Sequence, residues 1–109
     1  MSTTNNAQTI INQRASWLRQ RAILQEQVQH SLIIAANGSF FTADAQTIGL
    51  VKTFIDQGLT EAVLLDNNNL PCKVDDLKQF LISLIEHHQQ VLNLFHQDYA
   101  KLVRSRGRG

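Results

Sequence analysis

The apolar positions change period several times along the chain, and each change marks an element. From Ala7 to Gln29 the small or apolar residues Ile11, Ala15, Leu18, Ala22 and Leu24 recur at helical spacing. Ile10, Trp17 and Val28 lie beside them, and Arg and Gln fill the other face. This period predicts an amphipathic first helix, and no Gly or Pro interrupts it. The pattern then shortens to "SLIIAANGSFFTAD", two apolar runs around Asn37-Gly38. Both turn residues tolerate positive φ, so the pair predicts a type I′ hairpin between two short strands. Thr42 or Asp44 can cap a second helix running to Gln57, with Ile48, Val51, Phe54 and Ile55 on one side, Leu50 flanking them, and Gly58 at the C′ position.

A second hairpin follows. "EAVLLD" (residues 61–66) and "LPCKV" (residues 70–74) are short apolar runs joined by three asparagines, residues that accept turn and left-handed backbone. Pro71 lacks a backbone donor and marks an edge. Asp75 or Asp76 then caps a long last helix reaching about Val103. Its stripe runs through Leu77, Leu81, Leu84, His88, Val91 and Phe95 and resumes at Leu102 after Asp98, flanked by Phe80, Ile85, Leu92 and Tyr99. Roughly thirty residues at 1.5 Å each give about 45 Å, longer than a domain of this size, so the end should project onto a partner or onto the first helix. The expected fold is α+β, three helices with the last one long, and two short β-hairpins forming a small sheet. Residues 7–103 form one domain between a flexible N-terminus (1–6) and a flexible basic tail (104–109).

The chain has 109 residues, 43% apolar and 6% aromatic, which suffices for one modest core. A net charge of +1 argues against a general nucleic-acid binder. Only "RSRGRG" at the end is locally basic; a solvated tail is the plainer reading and phosphate contact the sharper one. Cys72 is the only cysteine, so an intramolecular disulfide and a cysteine-based metal cluster are both excluded. It reads as a small buried strand residue, with a reactive thiol as the alternative. There is no secretory signal pattern at the start and no run long enough to span a membrane, so the chain is expected to stay in the cytoplasm or enter a particle assembled there.

The succession "NGSFFTADAQTIGLVKTFI" followed by "AVLLDNNNLPCKVDDLKQFLISLIEHHQQVLNLFHQDYAKL" resembles a small domain of unknown function found in tailed-phage tail-fibre and fibre-assembly proteins. The matching positions are Gly38, Phe41, Ala43, Asp44, Asp66, Asn67 and Leu77, within residues 32–103. The resemblance implies a virion setting in the phage tail, assembled in the host cytoplasm, with a tail or fibre protein as partner.

Chemistry-bearing candidates are few. Asp66-Asn67-Asn68-Asn69 lacks the later acidic ligands and the glycine of a calcium loop and reads as a turn. His87, His88 and His96 lack a third ligand at metal spacing and read as half-buried helix residues. No nucleophile, phosphate loop or carboxylate pair stands out, so the chain reads as non-enzymatic and without a cofactor. Trp17, among Arg14, Arg19 and Arg21, is equally an interface anchor or a core residue. The expected partner-binding residues are Trp17, Leu84, His88, Val91, Phe95, Tyr99 and Leu102, used for protein docking or a homo-oligomer. The expected function is an adaptor or chaperone of phage-fibre assembly. The alternatives are a nucleic-acid-associated protein using the basic tail and a host-directed regulatory binder.

Overall fold

The computed structural model describes the backbone of residues 2–108 and the side chains of residues 10–105. In chain order the elements are α1 (Ser2–Ser31), β1 (Ile33–Ala36), β2 (Ser39–Thr42), α2 (Ala45–Asp56), β3 (Ala62–Leu65), β4 (Pro71–Val74) and α3 (Leu77–Arg108). It is a small α+β domain with three helices, the last one long. The Cα radius of gyration is 20.1 Å and the extents are 69 × 24 × 21 Å, against about 13 Å for the radius of a compact chain of this length. The excess comes from a stalk: α1 and the far part of α3 run away from a small head made of the hairpins, α2 and the start of α3.

Local chemistry accounts for each turn. Asn37 and Gly38 take φ of 53° and 78°, joining β1 and β2 in the register Ala36↔Ser39 through Ile33↔Thr42, as a type I′ turn requires. Asp44 caps α2 by accepting from the Thr47 amide at 2.9 Å. At the other end Gly58 (φ 89°) donates to the Ile55 carbonyl and Leu59 to the Phe54 carbonyl, the paired bonds of a Schellman stop. Asp76, rather than Asp75, caps α3 through the Gln79 amide at 3.0 Å.

Each of the three asparagines in the β3–β4 loop has its own part. Asp66 and Leu70 close the ribbon, and Asp66 Oδ1 accepts from the amides of Asn68 (2.8 Å) and Leu70 (3.0 Å). Asn69 takes the left-handed position at φ 60°. Asn67 reaches across to the other hairpin, its amide donating to the Phe40 carbonyl at 2.8 Å and its side-chain oxygen accepting from the Thr42 hydroxyl at 3.2 Å.

The expected single sheet does not form. β1–β2 and β3–β4 are separate two-stranded ribbons. They touch at the Asn67 contacts and through the Cys72 thiol, which lies 3.5 Å from the Asn37 carbonyl. What joins them is a shared core instead of a ladder. Phe41, Ala43, Val51, Leu64, Cys72, Val74, Leu77, Phe80 and Leu84 form one buried cluster, and the Phe41 and Phe80 rings meet edge to face at 5.1 Å. Segments 1–6 and 104–109, expected to be loose, carry helical backbone from Ser2 and as far as Arg108, with Met1 and Gly109 outside the described residues. Neither segment contains a proline, and extending a nucleated helix fixes few dihedrals per added bond.

Candidate protein-docking site

The stalk is an antiparallel helix pair. At its neck His87 Nε2 donates to the Ser31 carbonyl at 2.6 Å, and His88 Nδ1 donates to the Ala43 carbonyl at 2.7 Å. Farther out, Leu24 and Val28 of α1 meet Val91 and Phe95 of α3, and farther still Trp17 comes beside Leu102. On α1 the seam follows the three–four heptad spacing Ile10, Arg14, Trp17, Arg21, Leu24 and Val28; Trp17, Arg21, Leu24 and Val28 are half-buried, and Ile10 and Arg14 continue the spacing as exposed residues toward the free end. Arginine serves there because its methylene stem packs while its head stays in water. The Arg21 guanidinium lies 4.9 Å from the Trp17 ring centroid, within cation–π range.

This seam revises the expected partner-binding set. Leu84 is fully buried in the head core and Val91 is 8% exposed. His88 is engaged with the Ala43 carbonyl. Trp17, Phe95 and Leu102 are half-buried along the seam with the chain's own α1 and α3. Of the seven, Tyr99 alone is exposed (36%), with its ring 6.1 Å from that of Phe95. The physical reason is simple: α1 covers the α3 stripe that would otherwise need another chain.

A different surface is left over. Each residue advances about 100° around a helix, so Ile11, Ala15, Leu18 and Ala22 lie roughly 100° away from the α1 seam. Ile85, Leu92, Tyr99 and Val103 lie roughly 90° from the α3 seam in the same rotational sense. In an antiparallel pair that places both stripes on one side of the stalk. Ile11 (60%), Leu18 (40%) and Val103 (43%) are open to solvent there. The stripe through Ile11 and Leu18, expected to be the packing face of the first helix, is therefore its outward face.

Toward the free end the seam opens into a cleft of about 990 Å³ between α1 and α3, whose walls include Ile10, Arg14, Trp17, Leu18, Arg21 and Leu102. Near the neck the corresponding gap, beside Val91 and Phe95, is about 140 Å³. Charge is distributed just as unevenly. Among the described side chains, Arg14, Arg19 and Arg21 of α1 and Lys101 and Arg104 of α3 give this end five of the chain's ten cationic residues, against the single acid Asp98. The other eight carboxylates belong to the neck and head. A net charge of +1 conceals this polarity.

The remaining candidates have structural roles. Asp66 has its pKa lowered from the ordinary value of 3.8, chiefly by the Leu70 amide, with the Asn68 amide and Ser39 adding to the effect against partial desolvation. Cys72 is buried. Among the described residues no group of three His, Cys, Asp or Glu is placed to hold a metal ion, and no helix is long and apolar enough to cross a membrane. The positions carrying the tail-fibre resemblance are likewise built into the head. Gly38 makes a turn, Phe41, Ala43 and Leu77 are core, Asp44 is a cap, and Asp66 and Asn67 close and bridge the second ribbon. No family model, no curated protein and no solved structure matches the chain.

Proposed function

We propose that the chain is a non-enzymatic structural or assembly protein of a phage tail, a fibre-associated adaptor or chaperone that works by helix-mediated docking. The head is a scaffold, and the free end of the stalk is the surface that engages a tail or fibre protein. The observation that carries this reading is the exposed apolar stripe through Ile11, Leu18 and Val103 beside a cleft of mixed polar and apolar lining, on a projecting helix pair whose head has a closed core. Exposed apolar surface of this extent, rimmed by polar groups, marks interaction sites. The tail setting rests on the motif resemblance.

Particles and fibre intermediates from infected cells provide the test, analysed by mass spectrometry for the wild-type chain and for a variant carrying Leu18→Glu and Val103→Glu. The reading expects the wild-type chain in one of these fractions and the variant in neither. Absence of the wild-type chain from both removes the tail setting. If it is found instead on a host protein in cell extract, the host-directed role takes its place.

One observation favours a second reading. Arg14, Arg19 and Arg21 sit at the same end as Lys101 and Arg104, which gathers the cations a phosphate-binding protein would use. That reading predicts duplex DNA binding whose affinity falls steeply with salt and whose salt slope shrinks when residues 104–109 are removed.

A further inference from the structure

The occupant of the stalk cleft can be characterised from its walls. Trp17, Leu18 and Leu102 supply the apolar part of the lining, Asn12, Gln13, Ser16, Gln20 and Ser105 supply neutral polar groups, and Arg14 and Arg21 add fixed positive charge. From Ile10 to Arg21 the cleft runs about 16 Å, three helical turns. Its volume of about 990 Å³ lies at the upper end of the range for ligand sites, and its walls come from both helices of the stalk, chiefly from α1.

We infer that the free end of the stalk binds an acidic amphipathic helix, which inserts its apolar face between Trp17 and Leu102 and sets its carboxylates against Arg14 and Arg21. The inference rests on the docking reading above and names the chemistry of the partner at the same site. Helix-in-groove recognition needs apolar anchors at one-turn spacing. The arginines add charge-assisted bonds and reject a cationic competitor.

Two other occupants fit less well. A second copy of this chain aligned stalk to stalk would bring five described cationic residues against five, with one acid on each side to offset them. The chain's own acids are also spread over loops and caps of the head, so no element of a second copy presents an acidic amphipathic face. Nucleic acid would satisfy the arginines but would leave Leu18 and Leu102 facing a phosphate backbone, and the chain offers no cluster of aromatics beside Trp17 on which bases could stack.

Trp17 is the only tryptophan and lines the cleft, so it reports occupancy directly. The probe is a synthetic amphipathic helix of about four turns, leucines on one face and glutamates on the other, together with a twin in which lysines replace the glutamates. Both are labelled for anisotropy and titrated into the full chain while Trp17 emission is followed. The expected result is saturable binding of the glutamate peptide with a blue shift of Trp17 emission and no binding of the lysine twin. Arg14→Gln with Arg21→Gln should weaken binding by about ten-fold or more, with unchanged far-UV circular dichroism. Because both arginines are on the stalk, a variant that lost helical signal would be replaced by the exposed double variant Leu18→Gln and Arg14→Gln, for which the same weakening is expected.

Equal binding of the two peptides, or glutamate-peptide binding with no change at Trp17, overturns the inference. So does tighter quenching of Trp17 by duplex DNA than by the glutamate peptide, or a concentration-dependent dimer in light scattering that shifts Trp17 emission without peptide. Failure here leaves the particle and fibre fractions above as a separate measurement. Failure there, with peptide binding intact, removes the tail setting and keeps the acidic-helix site.

Discussion

Leu84 and Leu18 both belong to apolar stripes on long helices, and the structure assigns them opposite energetic roles. Leu84 is fully buried among the head cluster, so Leu84→Ala removes three methyl or methylene-sized groups from a closed core and leaves a cavity. Such changes cost about 2–5 kcal/mol, and a value inside that range, about 3 kcal/mol, is expected because α2, α3 and both ribbons fix the cavity walls. For a domain of this size a loss of that order lowers Tm by roughly 12–24 °C and is a large share of total stability. Leu18 is 40% exposed on the stalk, so Leu18→Ala should change unfolding by no more than about 0.5 kcal/mol. Urea titration followed by far-UV circular dichroism measures both, and an unchanged m-value confirms that the comparison is one of stability. A Leu84→Ala loss below about 1 kcal/mol, or equal losses for the two variants, would refute the division into closed head and open stalk.

Three further outcomes follow from single interactions. His88→Ala leaves the Ala43 carbonyl without its partner in a part-buried bond and should cost about 1–2 kcal/mol; His87→Ala, whose bond to Ser31 is exposed, should cost less in the same urea titration. Gly58→Ala meets no atom within 4 Å of the added Cβ, so its cost, about 1–2 kcal/mol, is that of holding φ at 89° and nothing else; Gly58→Asn should recover part of it. Asp66 has a lowered pKa in the folded chain, so its ionised form adds stability above its ordinary pKa of 3.8, and that contribution is lost as the pH falls from there through the folded value. Asp66→Asn should flatten the stability profile in that acid window, and an unchanged profile would show that the amides of Asn68 and Leu70 do not hold the carboxylate.

What could be read from the chain was what neighbouring residues decide among themselves. The Asn37-Gly38 turn, the Asp44 cap, the Gly58 stop and the Asn69 turn each depend on a side chain or a φ angle within a few positions, and each is where the sequence placed it. Which faces meet is a different matter, because both long helices carry two neighbouring stripes. On α1 the apolar count favours Ile11, Ala15, Leu18 and Ala22, whereas the seam uses Ile10, Arg14, Trp17, Arg21, Leu24 and Val28. Two arginines hide that heptad from any rule that scores Arg as polar. A signal was present in the spacing itself. Leu24 and Val28 stand in register with Phe95 and Val91, and extending the same antiparallel register outward sets Trp17 against Leu102. The two-ribbon arrangement was equally invisible, since strands of four residues pair or stay apart according to the core they share with α2 and α3.

Seam composition explains why the head and the stalk end differ in kind. Around Leu77, Phe80 and Leu84 every α3 seam position finds an apolar neighbour, and burial there removes the surface from water almost completely. At the other end the α1 seam offers Arg14 and Arg21 where leucine or valine would close the pair, and α3 answers with Asp98 and Leu102. Such a seam stabilises the helix pair weakly, since Arg stems contribute packing but their heads require water or a counter-charge. It therefore keeps the two helices apart enough to leave a cleft, and it keeps the cations beside that cleft. A chain needing only stability would replace both arginines with aliphatic residues and bring Trp17 and Leu102 into closer contact. Retaining them costs stability at the stalk end and leaves a local region that opens before the head does, the trade expected of a surface that gains its missing counter-charge and its missing apolar contacts from the same partner.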